Sequence, residues 1–202
     1  MRLMIRTAVA FALLVGIGCA VNGAGKSGSD PASRTTSEEK ISVPLFELQT
    51  PRLDTDKKYL GLTGSGAFKF TEIKAEVLIV EVLSMYCPHC QKGAPLVNEL
   101  YRTIEDRPDL RGRVKMIGIA RKNSPFEMGV FREKYKIPFP LFSDGDGSIS
   151  KALGVYGTPT FICVKINKNG SYEGLLFKAG SLKNVNDFLK ELLGRAGLRK
   201  EG

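Results

Sequence analysis

Cys87-Pro88-His89-Cys90 is the stretch of this sequence with the plainest chemistry. Val77–Leu83 precedes it, apolar and β-branched apart from one acid, Glu81. Gln91–Tyr101 follows it with apolar residues at helical spacing. The pattern predicts a strand, a short turn, and a helix whose first turn carries both thiols. A cysteine at a helix start faces free backbone N–H groups and the positive end of the dipole, which favour a thiolate. Pro88 suits the first helical position, where its missing N–H costs nothing. His89, when protonated, places a second favourable charge near the sulfur. Cys90 lies one turn on, within reach of a disulfide to Cys87. The pair therefore reads as a dithiol–disulfide switch, with Cys87 attacking and Cys90 resolving.

Other readings of a Cys-x-x-Cys pair fit less well. Zinc needs four ligands, and outside the motif only Cys19 and Cys163 remain, since His89 is the one histidine in the chain. No metal is expected. A c-type haem site has histidine directly after the second cysteine, where this chain has Gln91. A purely structural disulfide closing so short a loop would remove little unfolded-state entropy. No cofactor beyond the Cys87–Cys90 redox pair is implied.

A chain of 202 residues, 43% hydrophobic and 25% charged, is long enough for one good core. The net charge of +9 admits anionic partners. Its lysines are scattered among acids rather than clustered with aromatics, so a solvated basic surface is expected and nucleic acid is not. Four cysteines are too few for a disulfide scaffold.

Those thiols need a setting. Residues 1–20 read as a secretory signal: Arg2 and Arg6 form a basic start, and Thr7–Gly18 is an apolar run too short to cross a bilayer. Gly16-Ile17-Gly18-Cys19 resembles a bacterial lipobox, in which Cys19 would carry lipid and anchor the protein in a membrane. The alternative is a signal-peptidase site with small residues at Gly18 and Ala20. Residues 21–42, rich in Gly, Ser, Thr and Lys, read as a flexible tether. The folded domain is expected over residues 43–202.

Within it, Val43–Leu48 reads as a strand and Asp54–Lys74, with Gly61, Gly64 and Gly66, as a hairpin. Val77–Leu83 and Val114–Ala120 are buried strands, with a helix from Cys87 to about Glu105 between them. Ser124–Lys136 is a helix with Ser124 as cap and Pro125 at its first position. Phe139–Phe142 is a short strand, and Asp146–Leu153 a short helix closed by Gly154. Thr160–Ile166 and Tyr172–Lys178 form a hairpin around Asn167-Lys168-Asn169-Gly170. Leu182–Leu193 is an amphipathic helix.

This β-α-β-α-β-α-β-β-α order, with Cys-x-x-Cys opening the first helix, resembles the thioredoxin fold. Glu81 stands six residues before Cys87, where thioredoxin-like proteins hold a buried acid. Pro95 matches their helix-kinking proline, and Gly157-Thr158-Pro159-Thr160 their cis-proline loop. Tyr135–Asp144 and Leu153–Pro159 resemble the TlpA/ResA and peroxiredoxin-like branch. The resemblance implies an α/β fold: three layers around a mixed central sheet, with an N-terminal β extension and one extra βα insertion.

It also implies roles. Thr158, before a cis Pro159, would present its backbone beside Cys87 to an extended substrate strand. Tyr86, where the family has tryptophan, would be an apolar rim for substrate flanking the Pro88-His89 dipeptide. Glu81, buried with a raised pKa, would accept the Cys90 proton; the alternative is a strand-end glutamate reaching water. Cys163, between Ile162 and Val164, reads as a small core hydrophobe. A peroxiredoxin would have threonine three residues before a single reactive cysteine. Here Ser84 occupies that position and a second cysteine is present, so peroxidase activity is not expected.

The function this implies is an extracytoplasmic, periplasmic thiol–disulfide oxidoreductase acting on protein thiols or disulfides, with an upstream redox partner. The Pro-His dipeptide resembles that of DsbA-type oxidases. However, the stretch from Cys90 to Pro159 has no room for the helical domain such oxidases insert, so the expected direction is reduction. A thioredoxin-fold binding module without turnover is the alternative.

Overall fold

The computed structural model describes residues 41–198. The expected secretory signal, Cys19 and the expected tether up to residue 40 lie outside the described residues. The elements in order are β1 (Glu47–Gln49), α1 (Asp54–Leu60), β2 (Ala67–Lys69), β3 (Val77–Leu83), α2 (Pro88–Asp106), β4 (Val114–Arg121), α3 (Pro125–Tyr135), β5 (Leu141–Asp144), α4 (Ser148–Ala152), β6 (Thr160–Ile166), β7 (Tyr172–Ala179) and α5 (Val185–Ala196).

Five strands form a mixed sheet in the order β5-β4-β3-β6-β7. The central strand β3 is buried at every position, as its apolar run requires. It runs parallel to β4 and antiparallel to β6. Alternation along β3 supplies both cores. Val77, Ile79 and Leu83 face one layer with α2, α3 and α5, while Leu78, Val80 and Val82 face the other with α1 and the N-terminal segment. The sheet is thus covered on both faces, and β5 with α4 is the inserted βα unit.

The N-terminal extension corrects the expected hairpin over Asp54–Lys74. Its first part is helix α1, opened by Asp54 and Asp56 and closed by Gly61 in the left-handed conformation. Acids at a helix start and glycine after its end are favourable there. A Cβ on Gly61 would also lie 2.6 Å from the Lys74 side chain. Only β2 is extended, and it pairs with β1 in a separate two-stranded sheet. Strand β1 covers Glu47–Gln49 rather than Val43–Leu48; Val43 and Phe46 are buried without joining a ladder. Strand β5 begins at Leu141, two residues later than expected, because Pro138 and Pro140 have no N–H to give a ladder.

Elsewhere the local signals hold, although α5 covers Val185–Ala196 rather than Leu182–Leu193 because Asn184 caps it. Ser124 and Glu127 form the capping box of α3. Helix α2 runs past the internal Pro95, and α5 buries Phe188, Leu189, Leu192 and Leu193.

Candidate active site

Strand β3 ends at Leu83, and the chain turns at once into α2. The Cys87 N–H donates to the Ser84 carbonyl at 3.1 Å, and the Cys87 carbonyl accepts the amide of Gln91 at 3.1 Å. Cys87 is therefore the N-cap of α2, with extended backbone angles, and Pro88 is the first helical residue. Its thiol is partly exposed, Pro88 and His89 are exposed, and Cys90 is 2% exposed. Both cysteines are free thiols. One helical turn has placed one sulfur at the surface and the other in the core.

The loop before β6 comes up against this turn. Its Thr158–Pro159 peptide is cis. The Cys87 thiol donates to the Thr158 carbonyl at 3.1 Å. The loop itself is braced from both sides: the Thr160 hydroxyl donates to the Gly157 carbonyl at 2.8 Å, and the Gly180 amide to the Pro159 carbonyl at 2.8 Å. Thr158 and Pro159, expected beside the thiol from the sequence, are brought there.

The two thiols are tuned in opposite directions. Burial pushes the Cys87 pKa up, but hydrogen bonds from the Thr158 side chain, the Cys90 amide and thiol, and the His89 amide outweigh it, so the net shift is downward. Cys90 is pushed up to about 12, first by burial, with the Cys87 sulfur and the Glu81 charge adding to it against a lowering backbone hydrogen bond from Ser84.

Glu81 is 4% exposed. The alternation of β3 puts it on the same face as Ile79 and Leu83, the face that packs against Cys90. Its neighbours across the sheet are Gly118 on β4 and Phe161 on β6. Among the described residues no ion pair reaches it. Burial, and secondarily the charge on Cys87, raises its pKa to about 8. The strand-end reading, with the carboxylate in water, is thereby replaced.

Tyr86 is 65% exposed, which leaves its ring available beside Cys87. Its hydroxyl, however, is engaged: it donates to Glu127 Oε1 in the first turn of α3. The residue before it is also held. The Met85 N–H donates to Asn123 Oδ1 at 2.9 Å, and the Met85 carbonyl accepts from Gln91 Nε2 at 2.7 Å. The sequence reading missed Asn123 and Glu127 here. The capping box was legible, but nothing in it indicated that the loop before Cys87 would lie across the start of α3.

Cys163 is fully buried in β6 opposite Ile79, and burial pushes its thiol far up. Among the described residues no group of three or more His, Cys, Asp or Glu could hold a metal. One cavity, of about 610 Å³, lies between the N-terminal extension and the α3–β5–α4 region. None of the cysteines lines it. A second, of about 420 Å³, is lined by Phe161, Gly180 and Leu182 and adjoins the Pro159 loop through Gly180.

Comparison with known proteins agrees with this layout. The chain is 23% identical over 157 residues to the thiol-disulfide oxidoreductase ResA of Bacillus thuringiensis subsp. konkukian, an alignment spanning 78% of this chain and 82% of that one. The crystal structure of a putative thiol:disulfide interchange protein DsbE from Chlorobium tepidum superposes with a TM-score of 0.57 at 18% identity, over 78% of this chain and 97% of that one. A thioredoxin domain from a Bacteroides vulgatus thiol-disulfide oxidoreductase gives 0.55 at 15% identity, over 76% and 97%. The fold is that of thioredoxin. The AhpC/TSA family model matches residues 42–172, from the N-terminal extension through the cysteine pair and the cis-proline loop to β7, and the chain belongs to that family.

Proposed function

We propose that this protein is a thiol–disulfide oxidoreductase that reduces disulfides of protein substrates through Cys87 and Cys90. The observation that carries the reading is the asymmetry of the pair. A partly exposed thiol with a lowered pKa stands at a helix N-cap, 3.1 Å from a backbone carbonyl, over a buried thiol pushed up to about 12. The relatives named for the same chemistry support it.

In the proposed cycle the Cys87 thiolate attacks a substrate disulfide, and one substrate sulfur leaves as thiolate. Cys87 is now joined to the substrate. The Thr158 carbonyl, released from the Cys87 thiol, is free to accept an N–H from an extended substrate strand. Cys90 gives its proton to Glu81 and attacks the Cys87 sulfur, so the second substrate thiol departs. The substrate has gained two electrons, its two departing thiolates take one proton back from Glu81 and one from water, and the protein holds a Cys87–Cys90 disulfide that an upstream reductant must reopen. A base whose pKa is near operating pH suits the proton step.

The proposed setting is the outside of the cytoplasmic membrane, in the periplasm. The signal over residues 1–20 would export the chain, lipid on Cys19 would hold it, and residues 21–42 would tether a domain over residues 43–202. Mass spectrometry of the native N-terminus tests the anchor: lipidated Cys19 is expected, and a free terminus at Val21 or later would exclude it. Insulin-disulfide reduction tests the activity, and the reduction potential tests its direction. A potential near that of thioredoxin, about −270 mV, is expected for a reductase; one near −120 mV would mark an oxidase. Absence of turnover with a reversible Cys87–Cys90 couple would favour a binding module.

A further inference from the structure

Two hydrogen bonds tie the loop before Cys87 to an element far away in sequence. Asn123 is fully buried at the end of β4. Its Oδ1 takes the Met85 N–H at 2.9 Å across 38 positions of chain. Four residues on, Glu127 divides its carboxylate. Oε2 closes the capping box of α3, accepting from the Ser124 amide at 2.7 Å and hydroxyl at 2.9 Å. Oε1 takes the Tyr86 hydroxyl. A capping box needs one of these oxygens to accept the N-cap amide; the other is spent on the redox loop. The start of α3 thereby grips Met85 through its backbone and Tyr86 through its side chain, and Cys87 is the next residue.

We propose that Asn123 and Glu127 are positioning residues for the thiol: they pin Met85–Tyr86 and so seat Cys87 at the N-cap of α2. The physical ground is local. The favourable field of a helix terminus falls off within its first turn, so a small displacement of an N-cap sulfur forfeits much of it. Ser84 accepts the Cys87 amide through its carbonyl and the Tyr86 amide through its hydroxyl at 3.4 Å, but both bonds lie within the turn and give it no reference outside itself. Gln91 restrains Met85 only through its carbonyl and from α2 itself, the element that carries the sulfur. The bonds to α3 supply an external reference, because α3 is seated in the core by Phe131 and tied at its far end to Asn98, well beyond α2's first turn.

The inference rests on Cys87 being the attacking thiolate. Turnover of insulin by the wild type tests that reading; the present proposal is read from a difference between variants and wild type and does not require turnover. The experiment is the pH dependence of Cys87 alkylation by iodoacetamide in the reduced full-length chain, followed by peptide mapping, with thermal unfolding alongside. Asn123→Leu removes the acceptor for Met85. Tyr86→Phe removes only the bridge to Glu127 and leaves the α3 cap intact. Both should move the alkylation midpoint to higher pH and slow labelling at pH 7 several-fold, Asn123→Leu more than Tyr86→Phe. Asn184→Ala, which removes the N-cap of α5 elsewhere, should lower the melting temperature and leave the midpoint in place. A midpoint unmoved in Asn123→Leu removes Asn123 from the role, and one unmoved in Tyr86→Phe removes Glu127. If Asn123→Leu does not fold, Tyr86→Phe decides the proposal alone.

Discussion

The first turn of α2 and the middle of β6 each set a cysteine against the same core, and they make different things of it. Cys163 is enclosed by strand neighbours, and enclosure is the main cause of its raised pKa. Cys90 is also buried and also raised, but it lies next to a sulfur at the surface and a carboxyl beneath. Cys87 pays a smaller desolvation cost, and hydrogen bonds from the Thr158 side chain and from the helix start more than offset it. Burial makes a thiol inert; a helix terminus, a partner sulfur and a proton acceptor make it useful. What separates the two regions is the backbone around each cysteine.

The largest expected contrast is catalytic. Cys87→Ser should abolish insulin reduction, because among the described residues no other thiol is exposed to start the exchange, whereas Cys163→Ala should turn over at the wild-type rate and lose on the order of 1 kcal/mol of stability from a small core cavity. Comparable loss from both would break the distinction. A finer probe is labelling: in the reduced protein brief iodoacetamide treatment at pH 7 should mark Cys87 alone. Early modification of Cys90 or Cys163, read by mass mapping, would place the exposed thiol elsewhere.

Next in size is the proton step. Glu81→Gln should slow release of the mixed disulfide by roughly 10²-fold at pH 7 and leave the attack by Cys87 intact. The defect should shrink as pH rises and Cys90 loses its proton unaided. Stopped-flow kinetics with a disulfide substrate separates the two steps. Wild-type resolution from pH 6 to pH 9 would leave Glu81 without a role in proton transfer.

Much of this was readable from residue types. The run from Val77 to Leu83 required a central strand, and Pro88 with helical spacing after it required a helix opening at Cys87. Glu81, placed at an odd position of that strand with Ile79 and Leu83, was bound to share the Cys90 face once the strand was accepted. The N-terminal extension was misread because α1 buries only Leu60 and Asp56 among its seven residues, too few for periodicity to register. Its acidic first turn and closing glycine were the available signal, and they lost to the spacing of glycines. The grip of Asn123 and Glu127 on the redox loop was not readable at all. It depends on how far β4 extends past β3 before α3 begins, a property of the assembled sheet and not of any local pattern.

The last effect bears on Glu81 without any substrate. In the folded protein its carboxyl titrates near pH 8, where the ordinary value is 4.5, because burial penalises the charge. Between those two pH values the folded chain retains a proton that the unfolded chain has lost. Stability therefore falls as pH rises through that window and levels off above it. Glu81→Gln removes the titration. The variant and the wild type should be nearly equal in stability at pH 4, and the variant should gain, reaching an advantage on the order of a few kcal/mol by pH 8. Denaturant unfolding of the reduced proteins at a series of pH values measures the gap. A gap that stays flat from pH 4 to pH 8 would mean that Glu81 ionises as an ordinary carboxylate. It would then already be charged at neutral pH and too weak a base to take the proton of a thiol as buried as Cys90, and the chemical difference between the Cys90 and Cys163 environments would reduce to the presence of Cys87.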